Sequence, residues 1–394
     1  MNSRTLIVTC ICIAIIATVV LGSSLVLDKN TSHFTLLSSL EMAGQVLSID
    51  IDRYNNVVVG TRTGNHNGVL YFLDNGGNQI WKKQIDRIIG SVVISDDGNF
   101  IAVYGYELTD SRGQVYHNNQ IMVFDKAGNL LWRHPQQNNT VSEEKDFSSY
   151  TMTTSKDGLY HLIGVGNRTT FFDSGGNEIW QTVIAGDSRT AKIANTDNYI
   201  LIATQNHQDK IDYDWGLTLL DNEGNTIWQK SGNDGQTISG DAISISSMGN
   251  LVSIGVSPQG DEGIVYVFDI SGEMKWKEIT SSVILFTAFT YDEKNFVVVT
   301  NNGLSFYDVE GNVLWSKGIV FKPDISTKYV IGRSPYEHQD FLRVFDYTGN
   351  EVFKYAVDFP IRSIKISNDS KLLLIGTKGE TDIGPGKLYY FKHD

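Results

Sequence analysis

Beyond residue 33 the chain is written in short apolar runs broken by polar turns. Runs such as "VLYFLD", "IMVFD", "TTFFD", "LTLLD", "IVYVFD", "LSFYD" and "LRVFD" are rich in β-branched and aromatic residues. They are too short for helices, so each predicts a strand. The same polar phrase follows every one. Its copies are Asp74-Gly77-Asn78-Trp81, Asp125-Gly128-Asn129-Trp132, Asp173-Gly176-Asn177-Trp180, Asp221-Gly224-Asn225-Trp228, Asp269-Gly272-Glu273-Trp276, Asp308-Gly311-Asn312-Trp315 and Asp346-Gly349-Asn350-Phe353. Successive Asp residues lie 51, 48, 48, 48, 39 and 38 apart. Constant spacing inside the phrase with variable spacing between copies marks one structural unit with variable connections.

The phrase reads as a hairpin turn. Asp can accept hydrogen bonds from the turn's own amides, and Gly supplies a positive φ. The strand then restarts and delivers Trp. The residue before Trp is usually apolar too, which predicts that both faces of this strand are covered. A second kind of hairpin alternates with the first, as in "VLSIDIDRYNNVVVGT" and "IRSIKISNDSKLLLIGT". Its copy at 324–334 is abbreviated.

Counting these strands predicts an all-β fold, an eight-bladed β-propeller of four-stranded antiparallel blades over residues 34–394. "SHFTLLSSL" near the N-terminus and "GKLYYFKHD" at the C-terminus are the two unmatched strands. Paired together they complete the last blade and close the ring, leaving no blade face unprotected. Trp81, Trp132, Trp180, Trp228, Trp276, Trp315 and Phe353 are then the fillers between blades, and an indole can also donate a hydrogen bond to the next blade.

The first segment follows a different pattern. Leu6 to Leu27 has no charged side chain over 22 residues. As a helix it reaches roughly 33 Å, enough to span a bilayer. Residues 1–27 therefore predict a signal anchor, with 28–33 as a short linker. Arg4 precedes the apolar run, which places the propeller on the extracytoplasmic side of a cell membrane. A cleaved signal and secretion is the competing expectation. Sequons begin at Asn30, Asn138, Asn167 and Asn368.

Composition narrows the chemistry. The net charge of −13 argues against nucleic acid. Both cysteines, Cys10 and Cys12, lie in the first segment, so the remainder can form no disulfide and no thiolate metal site. The histidines form no close metal-binding pair in sequence. "DNGGNQ" and "DNEGNT" lack a full calcium-ligand series and read as turns. No phosphate loop or nucleophile elbow is present.

The phrase residues Asp, Gly and Trp resemble the quinoprotein-type propeller repeat, the family of pyrroloquinoline quinone (PQQ) dehydrogenases and of the propeller component of the outer-membrane barrel assembly machine. Gly to Trp is four residues, as in that family; Asp to Gly is one shorter. The resemblance implies the propeller and covers about 34–394. It also implies, for the dehydrogenases, a vicinal cysteine pair, a calcium cluster and an Asp base. None of these is recognisable here, so no cofactor, metal or catalytic residue is expected.

The long connections, at 105–120, 133–149, 205–215, 257–262, 334–340 and 378–385, all fall on one end of the predicted ring. Across the second-to-third-strand connections the sequence has eleven acidic and five basic side chains. Insertions on one face of a repeat fold often form its binding face. Asp212, Tyr213, Asp214, Trp215, Tyr336 and His338 are the candidate contact residues, since Tyr and Trp are over-represented at interface hot spots. The expected function is a membrane-anchored scaffold for a protein or peptide partner. A PQQ-dependent dehydrogenase or other propeller enzyme is the alternative, and a carbohydrate-binding surface protein the third.

Overall fold

Short apolar strands have no helical period to bury, and every regular element among the described residues is a strand. The computed structural model describes residues 34–393 except 109–115, 136–149, 197, 210–211, 233–236, 259–261, 319, 337–338 and 382. The predicted anchor at 1–27 and linker at 28–33 lie outside the described residues. Among the described residues no helix is long and apolar enough to cross a membrane.

Consecutive strands pair antiparallel into four-stranded sheets spanning 45–85, 88–134, 150–183, 187–232, 321–357 and 361–393, the last completed by Phe34–Met42. One eight-stranded sheet spans 237–318. It consists of two four-stranded antiparallel runs, 237–280 and 284–318, joined by one parallel pair, Asp241 to Phe286. The N-terminal strand Phe34–Met42 pairs antiparallel with Gly386–His393, from Phe34 opposite His393 to Met42 opposite Gly386. The last sheet packs in turn against the first: Tyr390 lies in one apolar cluster with Val46, Val57 and Tyr71.

Burial follows position in the sheet. Second and third strands, such as Val57–Arg62 and Gly68–Leu73, are almost wholly buried, because neighbouring sheets cover both faces. Fourth strands, such as Gln79–Ile85, alternate between exposed and half-buried. The core is a series of clusters shared by adjacent sheets; Val58, Leu70 and Phe72 pack with Val92, Ile101 and Met122 of the next.

Two expectations are corrected. The residue before the docking Trp is not covered: Ile80, Leu131, Ile179, Ile227 and Leu314 are 44–52% exposed. The cause is a bulge. Trp81 lies opposite Phe72 and Gln79 opposite Leu73, so Ile80 has no partner. The same slip recurs before each docking ring, for example at Ile179 and Leu314. A bulge inserts one extra residue, so Gln79 and Ile80 are both exposed, and the alternation resumes from Ile80 with Trp81 half-buried. Second, several connections read as loops are paired ribbon. Tyr199–Asp209 and Asp212–Asp221 stay paired out to Asp209 opposite Asp212, with one slip between His207 and Asp209. Tyr329–Tyr336 and Gln339–Asp346 do so out to Tyr336 opposite Gln339. The abbreviated hairpin is complete, but it begins earlier, at Phe321.

Candidate binding site around the ring axis

The repeated residues come first, because they account for most of the conspicuous polar groups. Each phrase Asp closes its own turn. Asp74 Oδ1 accepts N–H groups of Gly76 and Asn78, both at 2.9 Å, and Asn78 Nδ2 donates to Asp74 Oδ2 at 2.9 Å. The Asn side chain, then its backbone N–H, holds Asp74, Asp125 and Asp308 below the usual carboxylate range. In the divergent copy Glu273 has no side-chain amide; its backbone N–H still donates to Asp269, and Ser271 Oγ adds a bond at 2.6 Å.

Each of the six docking indoles donates its N–H to the carbonyl just after the following phrase Asp. The pairs are Trp81 to Lys126, Trp132 to Ser174, Trp180 to Asn222, Trp228 to Ile270, Trp276 to Val309 and Trp315 to Tyr347, at 2.8–3.0 Å. The ring lies on the phrase Gly of that same copy. A Cβ on Gly224 would sit 2.8 Å from Trp180, and its φ of 85° already disfavours any other residue. Glycine is thus required twice over, by the turn and by the neighbouring indole. Phe353 replaces Trp where the last sheet has no such turn, and packs on Phe34 and Phe391 with centroids 5.6 and 5.5 Å apart. Tyr390 occupies the equivalent place over Gly77. These groups hold adjacent sheets together.

The candidate contact residues fall on two separate ribbons. Asp212, Tyr213, Asp214 and Trp215 open the strand Asp212–Asp221, while Tyr336 ends the strand Tyr329–Tyr336 in another sheet. His338 lies outside the described residues. Trp215 is 5% exposed, with its ring 5.5 Å from Tyr266 and against Gly232. It anchors its ribbon to the core and offers no indole face to a partner. Asp214 is half-buried.

One set of polar groups outside the repeat lies on the first strands, around the axis. Asp50 Oδ2 accepts the N–H of Ile94 at 2.9 Å, and Asp324 Oδ2 accepts that of Ile366 at 2.8 Å. Each side chain satisfies an edge N–H of the next sheet, which would otherwise be an open pairing edge. Lys365 joins the two carboxylates, 3.2 Å from Asp50 and 3.9 Å from Asp324. Asp324 and then Asp50 raise the Lys365 ammonium well above its ordinary range against the effect of burial. Burial raises Asp324, with Lys365 opposing.

Side chains from the first-to-second-strand turns tie this end of the axis together. Tyr291 donates its hydroxyl to Asn368 Oδ1 and lies under the Lys156 ammonium, 5.8 Å from its ring centroid. Lys156 also meets Asp96 at 3.6 Å, and Thr327 Oγ1 donates to the Asn368 carbonyl at 2.9 Å. Burial pushes the Tyr291 phenol up to about 12.

The opposite, ribbon-bearing end holds a second group of charges. Here a cavity of about 240 Å³ is lined by Asp241, Leu285, Phe286, Val299, Phe321, Lys322, Pro323 and Arg333. Lys322 Nζ donates to the Arg362 carbonyl at 2.8 Å. Arg333 Nη1 donates to the Ile361 carbonyl at 2.7 Å and lies 3.4 Å from Asp340 Oδ2. Burial, then Arg333 and Arg362, lower the Lys322 ammonium, while Asp241 and Asp340 oppose them. No sequence signal marked this group: its members come from different sheets and share no spacing. Among the described residues no group of three or more His, Cys, Asp or Glu forms a metal-binding cluster.

Residues 53–204 match a PQQ-repeat family model described as outer membrane protein assembly factor BamB. No curated protein matches the chain in sequence. A crystal structure of the eukaryotic initiation factor is similar in fold, with TM-score 0.55 and 13% identity over 89% of this chain and 88% of that one. The recurrent strand–turn–Trp unit and the sheet-to-sheet docking agree with a β-propeller fold, and residues 53–204 are similar to the PQQ-like repeats of that family model.

Proposed function

We propose that the chain is an eight-bladed propeller scaffold, held on the extracytoplasmic side of a membrane by residues 1–27, that binds a protein or peptide and performs no catalysis. The carrying observation is the ribbon Tyr199–Asp221. Its first strand has eleven residues, against six in the equivalent strand Val57–Arg62. Five further residues extend it by about 17 Å. Paired strands have little conformational entropy left to lose on binding. The matching family model, an assembly factor by its description, supports the same reading.

The test is a photo-cross-linking residue at position 212 of the full chain in cells, with position 310, on a phrase turn, as the opposite-end control. A discrete cross-linked partner from position 212 is expected. Capture from position 310 alone would overturn the assignment of the face. Alkaline extraction of membranes is expected to leave the chain in the pellet; release would mean that the apolar segment is cleaved.

A further inference from the structure

The cavity at the ribbon-bearing end has the make-up of a specific small site. Five apolar side chains form its walls, two cations and one carboxylate its polar points. Its volume, about 240 Å³, falls below the roughly 300–1,000 Å³ that takes drug-sized ligands, so it suits one residue-sized group. Two further observations favour an anionic ligand. Arg333, in the cavity wall, has a buried Nε with no hydrogen-bond partner among the described residues. Lys322 also adopts a φ of 47°, a region that a residue with a side chain enters only where its surroundings over-determine it, and that clusters at ligand sites. The strain falls where the strand slips register, between Phe321 opposite Arg333 and Asp324 opposite Ile331.

We propose that this cavity binds one apolar residue bearing a free α-carboxylate, either the last residue of a peptide or the free amino acid. Lys322 and Arg333 receive the carboxylate, and guanidinium suits its planar oxygens. Asp241 accepts the adjacent amide N–H or ammonium. Leu285, Phe286, Val299, Phe321 and Pro323 enclose the side chain. This rests on the peptide-binding reading above and names the feature of the peptide that is recognised. The strand carrying Arg333 ends at Tyr336, so the site opens on the ribbon-bearing end.

The test uses the full chain in detergent with three probes: N-acetyl-glycyl-leucine, its C-terminal amide, and free leucine, followed by equilibrium dialysis. The free acid is expected to bind saturably and the amide about tenfold or more weaker, the loss of a charge-assisted hydrogen bond. Lys322→Met is expected to weaken the acid by a similar factor with the melting temperature unchanged. Free leucine binding as well as the peptide acid would support the pocket and assign it to the amino acid; exclusion of leucine would support it and assign it to peptide termini. Equal binding of acid and amide, or no binding of any probe, would overturn the proposal without recourse to a variant. A partner captured at position 212 alongside an empty pocket would leave the scaffold reading standing and remove this one.

Discussion

His161 should make the fold sensitive to mild acid. Its imidazole is fully buried, with Nδ1 3.1 Å from Thr154 Oγ1 and the ring edge-on to Trp132 at 5.3 Å. Nε2 has no partner among the described residues. Burial lowers its pKa from 6.5 to about 4, with Asp173 and Asp157 opposing. The folded chain therefore keeps the ring neutral where the unfolded chain protonates it. Its contribution is fully present above pH 6.5 and is lost as pH falls through 4. At about 1.4 kcal/mol per pH unit, the loss is about 2 kcal/mol by pH 5 and about 3 kcal/mol near pH 4. The assay compares urea-unfolding midpoints of wild type and His161→Leu between pH 7 and 4.5. Other groups titrate in both proteins and cancel in the difference. Wild type should lose about 2 kcal/mol relative to the variant between pH 7 and 5. Parallel pH profiles, or an imidazole NMR titration midpoint near 6.5, would refute the reasoning.

Docking is tested by two changes at one contact. Trp180→Phe keeps a ring but loses the bond to Asn222, and should cost about 1–2 kcal/mol in chemical denaturation. Gly224→Ala should cost more, about 2–4 kcal/mol, since it adds strain at positive φ to a clash with the same indole. Ring closure is tested by Phe34→Ala. Phe34 is 2% exposed and packs on Tyr329, Phe353 and His393, so about 3–5 kcal/mol is expected, with faster hydrogen exchange in 386–393. Unchanged exchange there would mean that the terminal strand does not hold the last sheet. Lys365→Met strands the carboxylates of Asp50 and Asp324, and should cost about 3 kcal/mol at neutral pH. The deficit should shrink as acid protonates Asp324, which a pH series of melting temperatures would register.

The hairpins, the docking rings and the pairing of the two chain ends were legible in the sequence because each is a local pattern repeated at fixed spacing. What the repeat conceals is geometry that changes no residue type. A bulge leaves Gln79 and Ile80 both exposed, where strict alternation would turn one of them inward. A ribbon of mixed polarity, such as Gln205–Trp215, reads as a loop because neither face is uniformly apolar, although its pairing continues to Asp209 and Asp212. Trp215 misleads for a related reason. Among carboxylates it looks like a surface anchor, and only the sheet from 237 onward, which supplies Tyr266, shows that it is buried.

The axial chemistry was illegible for a deeper reason, which also says where specificity resides. In every first hairpin the backbone N–H two residues beyond a common axial position begins the turn: Asp52, Ser95, Ser155, Ala194, Ser246, Thr290, Ser326 and Ser367 donate there. The axial position itself holds Asp50, Val93, Thr153, Lys192, Ser244, Ala288, Asp324 and Lys365. The turn residue is mostly a small hydroxyl, because the turn constrains it. The axial residue shows no such preference, because only its opposite numbers on other sheets constrain it. Asp50 and Lys365 are 315 residues apart and 3.2 Å from each other, a pairing that no periodicity encodes. The repeat therefore specifies the ring, and the departures from it specify what lies along the axis. Lys322 is such a departure, set in a strand that slips register at its own position, and it lies in the cavity wall.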